Sequence, residues 1–386
     1  MTARWERRLQ LAAHPLLFPL ARGLARLGPV VRVPGLGVVV NDAATARAVL
    51  TDTGTFSKAA PGAPADLWTP VLGPSVLLNM AGEDHARLRR KLSGLFTPAA
   101  VRGLCERVLA GVLAGMTARL AAGEPVDLVA EVRRCAGAVI AELVGLPPDP
   151  DRFDAMFARG TEVTAMVRLT RRGLTPPQVA RAREVMAELT APAVTAYRDA
   201  AAGTVPGRMR QLGLTEDEAR GAVAAFVLTG TETLVSFVPR LVALAHDSGW
   251  LARLAADPAR TDAVVSEALR YTVPSPVMLR GVAAPGRVGR VPVAPGDRVV
   301  IMTLSCARAS GSFDPERPHP PELRQLWFGA GAHYCLGMPL ALAEIDAILG
   351  AVLAAWREAG PLAVRQRRAA ARVLIPGYAK LVLARA

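Results

Sequence analysis

The stretch from Thr215 to about His246 reads as one long helix, and it constrains the chain more than any other segment. Thr215-Glu-Asp-Glu218 has the reciprocal spacing of a capping box. Residues 222–228 are then apolar on every side, as in a helix buried within a large protein. At 1.5 Å per residue, roughly thirty residues reach ~45 Å, enough to cross a whole molecule. The rest of the chain must therefore wrap around this spine. Within its apolar run stands Thr229-Gly230-Thr231-Glu232-Thr233, a helix-weakening glycine among hydroxyls and a carboxylate that is costly to bury without a purpose. Pro239 predicts a kink near the far end.

A length of 386 residues permits one large domain or several smaller ones. No repeat or low-complexity tract divides the chain, and Pro and Gly punctuate it throughout, so residues 1–386 are expected to form a single domain. Hydrophobic residues make up 51% and charged residues 20%, which excludes a disordered or fibrous chain. Other helices are expected along residues 104–120, where apolar residues recur every four positions, and over 126–146 and 178–201. Residues 30–40 read as a hairpin around Pro34-Gly35, and a second β-rich stretch spans 277–302. Residues 1–27 have a basic start and an apolar patch interrupted by Pro15 and Pro19. That patch is too short for a bilayer span, so a surface helix and no transmembrane anchor are expected.

The four cysteines, Cys105, Cys135, Cys306 and Cys335, form no C-x-x-C pair, which argues against a disulfide framework or a zinc knuckle and for a cytoplasmic setting. The net charge of +13 is supplied almost wholly by arginine. Such a balance suits nucleic acid, an anionic membrane surface or an acidic protein. With no nucleic-acid motif present, an acidic protein partner is the expectation.

Phe328-Gly-Ala-Gly-Ala-His-Tyr-Cys335-Leu-Gly337 places a cysteine at the mouth of the helical run 340–356. Gly329 and Gly331 permit tight turns and close approach to a flat ligand, and unpaired amides at the helix start would draw the thiol toward thiolate. A Cys335–His333 hydrolase fails, because no orienting acid or oxyanion partner accompanies the pair.

This pattern, Phe-x-x-Gly-x-His-x-Cys-x-Gly, resembles the haem-binding loop of the cytochrome P450 family in its bacterial form, the haem-thiolate monooxygenases. The resemblance extends along the whole chain. It implies a mainly α fold with small β-sheets, a triangular prism of about a dozen helices around haem b. Cys335 would be the axial ligand to iron, with Phe328, Gly329 and Gly337 beside it, and its thiolate would favour O–O cleavage. His85-Ala-Arg-Leu-Arg89 resembles the family's His-x-x-x-Arg helix, and with Arg280 and His333 these residues would hold the haem propionates. Glu267-Ala-Leu-Arg270 resembles the Glu-x-x-Arg motif, with Arg317 as the implied third, structural member. Gly230, Glu232 and Thr233 match the family's oxygen-activating segment: the glycine loosens the helix, and the carboxylate and hydroxyl relay protons so that water becomes the leaving group. A threonine bonding back to its own helix is the plainer alternative.

The resemblance also implies a pocket walled by residues 58–79, 157–175, 225–229, 274–279 and 375–378. Phe226, Thr229, Val277, Met278 and Ile375 then suggest a hydrophobic small-molecule substrate, and Arg168, Arg171 and Arg172 stand at its entrance. The chain carries no dinucleotide motif and no iron–sulfur cysteines. Electrons are therefore expected from a ferredoxin or flavodoxin with its NAD(P)H reductase, docked on Arg87, Arg90, Lys91 and Arg102. The alternatives keep fold and haem for oxidative coupling, dehydration or peroxide-driven chemistry, or for ligand binding without turnover. Departures from the family are Ala307-Arg308-Ala309, Leu342, and the short interval 203–214, where a helix is expected to be reduced or lost.

Overall fold

The computed structural model describes residues 2–145, 149–167, 171–199 and 204–386. The first half contains helices α1 (Thr2–Ala13), α2 (Leu17–Leu27), α3 (Ala43–Thr51), α4 (Pro64–Leu72), α5 (Gly82–Ser93), α6 (Pro98–Ala121) and α7 (Leu128–Val144). Then come α8 (Pro150–Thr164), α9 (Pro176–Arg198), α10 (Val205–Gln211), α11 (Glu216–Asp247), α12 (Trp250–Ala256), α13 (Thr261–Thr272), α14 (Thr303–Arg308) and α15 (Met338–Ala359). The strands are β1 (Val30–Val33), β2 (Gly37–Val40), β3 (Phe56–Ser57), β4 (Val126–Asp127), β5 (Met278–Val282), β6 (Gly286–Val288), β7 (Val291–Val293), β8 (Arg298–Ile301), β9 (Leu362–Ala369) and β10 (Tyr378–Arg385).

α11 is the expected spine. Its capping box forms in both directions, with the Glu218 amide donating to Thr215 Oγ1 at 3.2 Å and the Thr215 amide donating to Glu218 Oε2 at 3.0 Å. It packs against α7, α9, α13 and α15, and α15 lies along α6. α11 and α15 are both long and apolar enough to cross a membrane, but half or more of each apolar stretch is buried inside the fold. α11 continues through Pro239. The side chains on either side of it are pinned: Ser236 Oγ donates to Pro376 O at 2.7 Å, and Arg240 Nη2 bonds Thr272 O at 2.8 Å and Glu6 Oε2 at 2.6 Å. This packing holds the helix together although the proline forfeits one backbone bond.

One expectation is corrected. The N-terminal segment is not one surface helix: α1 and α2 part around Pro15, and α1 is buried along Glu6, Leu9, Gln10 and Ala13. Its anchor is Glu6, shared between Arg240 and Arg308, whose Nη2 lies 3.0 Å away. In the short interval before α11 a seven-residue helix, α10, is retained.

The five-stranded sheet runs β1-β2-β8-β5-β3, with β2 and β8 parallel and the other pairs antiparallel. β1 and β2 form the predicted hairpin, pairing Val30 with Val40. In the β3–β5 pair Ser57 faces Gly281, which brings the next residue, Lys58, to the level of Arg280. The other sheets are β4-β10-β9 and β6-β7.

Candidate active site

The cysteine loop is built by sterics. Gly329 and Gly331 have φ of +85° and +66°, where side chains are disfavoured. A Cβ on Gly331 would lie 2.8 Å from Leu50 O, so the loop is pressed against the end of α3. The Cys335 amide donates to Phe328 O at 2.9 Å and closes the turn. Gly337 then caps α15, with Pro339 in its first turn. A Cβ on Gly337 would meet only Phe96, at 4.0 Å, so the protein itself leaves that face open.

The amides of Gly337 and Met338 hydrogen-bond the Cys335 sulfur, as the helix-mouth reading requires. Burial nevertheless outweighs them and the nearby Lys58 and Arg89, and holds the thiol above its ordinary pKa. In the metal-free protein the thiol is therefore neutral, and a metal cation must deprotonate it on binding to give the expected thiolate. Cys105, Cys135 and Cys306, buried in apolar surroundings, are pushed up to about 12.

Around this loop gather His85 and Arg89 of α5, Arg280 of β5, His333, and Lys58, which sequence reasoning missed. Burial, then Lys58 and Arg89, hold His85 down at about 4, and burial, Lys58, His85, Arg280 and Arg89 hold His333 at about 2. Lys58 is lowered to about 7 by burial and by Arg280. The two imidazoles stand 4.1 Å apart. Arg280 Nε and His333 Nδ1 are buried without a hydrogen-bond partner, and among the described residues no carboxylate bonds any of the five. Both imidazoles are held neutral, so the charge lies on Arg89, Arg280 and the part-protonated Lys58, and buried and half-buried cations this close together are costly unless a dianion joins them. Among the described residues no three His, Cys, Asp or Glu side chains gather as a bare ion site. One thiol facing an open glycine, ringed by cations, fits a haem held by its iron and two propionates. Lys58 was invisible in the sequence because only the β3–β5 register brings it to Arg280.

Along α11 from Gly221 to Ala245, Thr229 and Gly230 are the exposed positions among the described residues. Thr229 Oγ1 donates to Ala225 O at 2.7 Å and Thr233 Oγ1 to Thr229 O at 3.0 Å, so both hydroxyls bond back to the helix. Thr161 of α8 donates to Glu232 Oε1 at 2.5 Å. A Cβ on Gly230 would meet only Ile140 Cδ1, at 3.7 Å, so packing does not demand this glycine. The side chain of Thr231 and residues 168–170, Arg168 included, lie outside the described residues.

Val277 and Met278 are half-buried, and the Met278 sulfur sits 3.9 Å from where a Gly329 Cβ would be. Phe226 packs edge-on against Phe96, centroids 5.3 Å apart. The turn carrying Ile375 is fixed to α11 by Ser236 and by Arg240 Nη1, 3.1 Å from Pro376 O. Arg183 of α9 donates to Pro70 O of α4 at 2.6 Å, tying one predicted wall to the helix that follows another.

Glu267 and Arg270 form a fully buried bidentate pair at 2.6 and 2.7 Å, and Arg270 also bonds the carbonyls of Ala307, Gly311 and Ser312. The third member is corrected: His319 Nε2 lies 2.8 Å from Glu267 Oε2, whereas Arg317 donates to Ser310 O and Ser312 O and braces the loop. A histidine two residues beyond the expected arginine left no spacing signal. The predicted docking patch is also smaller than expected. Lys91 Nζ is committed to Gly213 O and Glu218, and Arg87 pairs with Asp84, leaving Arg90 and Arg102 exposed.

The cytochrome P450 family model matches residues 260–359. Erythromycin C-12 hydroxylase of Saccharopolyspora erythraea is 32% identical over 333 residues, 81% of this chain and 80% of that protein. Cytochrome P-450 monooxygenase DoxA of Streptomyces sp. is 30% identical, covering 86% and 85% of the two chains. A mutant of P450 EryK in complex with erythromycin B superposes with a TM-score of 0.82 at 25% identity, over 97% of each chain. With the cysteine loop, the cationic ring and the helical fold in agreement, the chain belongs to the cytochrome P450 family, the haem-thiolate monooxygenases.

Proposed function

We propose that this P450 inserts one oxygen atom from O2 into an apolar C–H or C=C bond of a hydrophobic secondary metabolite, using haem b. The observation that carries the reading is the ring of five basic groups around Cys335, His85 and Arg280 buried and the rest half-buried, with no carboxylate bonded to any of them among the described residues. The hydroxylase and monooxygenase names of the relatives support it.

When bound, the group supplies reductive activation of O2. The chain's own residues do the rest. Cys335 Sγ would give up its proton to become the ligand, with the amides of Gly337 and Met338 tempering its charge. His85, Arg89, Arg280, His333 and Lys58 would hold the propionates, while Phe328, Gly329 and Gly337 leave room for the macrocycle. Glu232 and Thr233 would move protons into the site: Thr161 orients the carboxylate, and the Thr233 oxygen keeps its lone pairs free while its proton rests on Thr229 O. Gly230 would loosen the helix there. Thr229, Phe226, Val277, Met278 and Ile375 would wall an apolar pocket that excludes water.

Residues 1–386 would act as one domain in the cytoplasm, supported by a core cluster that runs from Leu9 to Leu383 and by four free thiols. Electrons would come from an acidic ferredoxin or flavodoxin, with its NAD(P)H reductase, through Arg90 and Arg102. Charge reversal at these two should slow ferredoxin-driven reduction and spare dithionite reduction; equal rates would defeat the dock. The test of function is a screen of apolar metabolites for the low-to-high spin shift. Hits should then be turned over with ferredoxin, reductase, NADPH and O2, and binding without any product would leave only a ligand carrier.

A further inference from the structure

Among the described residues, all five large apolar side chains that stand open to solvent fall in one place. They are Leu16 (83% exposed), Leu17 (39%), Leu20 (56%), Leu27 (73%) and Leu374 (38%). α2 has no buried residue at all. The tip of the C-terminal turn is stitched to the corner before it, since His14 Nε2 lies 3.0 Å from Leu374 O and the Arg372 amide donates to Ala12 O at 3.0 Å. At 100° per residue, Leu16, Leu20 and Leu27 fall within about 40° of one another on one stripe, with Arg22 and Arg26 together on the adjoining face. Gly23 lies in the same stripe, with nothing within 4 Å of where its Cβ would be.

The charge of the surroundings selects the occupant. No Asp or Glu occurs between Glu6 and Asp42, or anywhere after Glu358. Those two stretches build the patch, and they bring Arg7, Arg8, Arg22, Arg26 and Arg372 to its neighbourhood. An apolar stripe edged by arginine and free of acid is the form of a helix that lies in the plane of a membrane interface, leucines in the acyl boundary and guanidinium groups on lipid phosphates. A protein partner fits less well, because an eleven-residue helix is only ~16 Å long and offers a strip short of the ~800 Å² per partner that stable interfaces bury. We propose that α2 and the tip of the C-terminal turn seat this protein on an anionic lipid surface.

Flotation of the haem-loaded full chain with vesicles of phosphatidylglycerol and phosphatidylcholine, against phosphatidylcholine alone, tests this. Binding is expected on the anionic vesicles only, falling as salt rises. Leu20→Ser with Leu27→Ser should weaken it at least about tenfold, and Arg22→Glu with Arg26→Glu should weaken it most at low salt, both with unchanged haem spectra. No retention on anionic vesicles at low salt, equal retention on both vesicle types, or retention untouched by either double variant would overturn the proposal. So would a concentration-dependent dimer in sedimentation equilibrium that Leu20→Ser and Leu27→Ser abolish while vesicles stay unbound.

Discussion

Two clusters of ionisable side chains, one around a fully buried ion pair and one partly buried, are built on opposite principles. In the Glu267–Arg270–His319 cluster each charge meets an opposite charge or a carbonyl, and the same holds where Glu6 joins Arg240 and Arg308. In the ring of Lys58, His85, Arg89, Arg280 and His333, basic groups crowd together, both imidazoles held neutral, with the buried nitrogens Arg280 Nε and His333 Nδ1 left over. The first kind is complete and serves the fold. The second is complete only with a ligand, and its cost in the empty protein measures how firmly it is built for an anion.

The largest expected effect breaks the partnered side. Arg270→Ala strands a buried carboxylate and should cost about 3–5 kcal/mol in urea unfolding of the haem-free protein. Arg280→Ala should instead leave the haem-free protein unchanged or up to about 1–3 kcal/mol more stable, because it removes an unsatisfied donor. In the haem-loaded protein the same change, or Lys58→Met, should speed haem transfer to apomyoglobin roughly tenfold, since each removes one charge-assisted bond. Equal destabilisation by Arg270→Ala and Arg280→Ala would erase the distinction between the clusters.

The two clusters should also separate along the pH axis. His85 titrates at about 4 folded against 6.5 unfolded, so the unfolded chain binds more protons in that window and the haem-free protein loses stability as pH falls through it. Lys58, at about 7 against 10.5, acts in the same sense, and stability should rise from pH 7 toward 10.5. The partnered carboxylates respond only in stronger acid. Burial works against the Glu267 carboxylate, yet its Arg270 and His319 bonds hold it below its ordinary 4.5, so its contribution is present above 4.5 and lost as pH falls below that. Haem loading should flatten the first two slopes and leave the third. Unfolding curves at stepped pH, with and without haem, check this.

Much of the site was legible because its chemistry is local. Cys335, Phe328 and the loop glycines sit within one turn, and His85 with Arg89, or Glu267 with Arg270, share a helix face that sequence spacing encodes. What could not be read depends on distant segments meeting. Lys58 reaches the ring through the β3–β5 register, His319 reaches Glu267 across 52 residues of chain, and Glu6 draws α1 inward to Arg240. Pro239 sits inside a helix that runs on to Asp247, where contacts of Ser236 and Arg240 with distant segments hold both sides of the lost backbone bond. Helix-mouth amides are visible in sequence, whereas the burial that keeps the metal-free thiol protonated is not.

The smallest expected effect separates fold from function at one residue. Because a methyl group fits beside Ile140, Gly230→Ala should stabilise the protein by about 1 kcal/mol in thermal unfolding, as alanine does in a helix interior. If the glycine serves chemistry, the same variant should form less product per NADPH consumed. A stabilised variant with unchanged coupling would reduce Gly230 to a passive position.

The most direct measurement is the absorption spectrum of the reduced, carbon-monoxide-treated, haem-loaded protein beside its Cys335→Ser variant. The native chain should give the red-shifted Soret band of thiolate ligation, and the variant should lack it. An unshifted band in the undamaged native protein, or a shifted band that survives in Cys335→Ser, would contradict the assignment of Cys335 as the iron ligand.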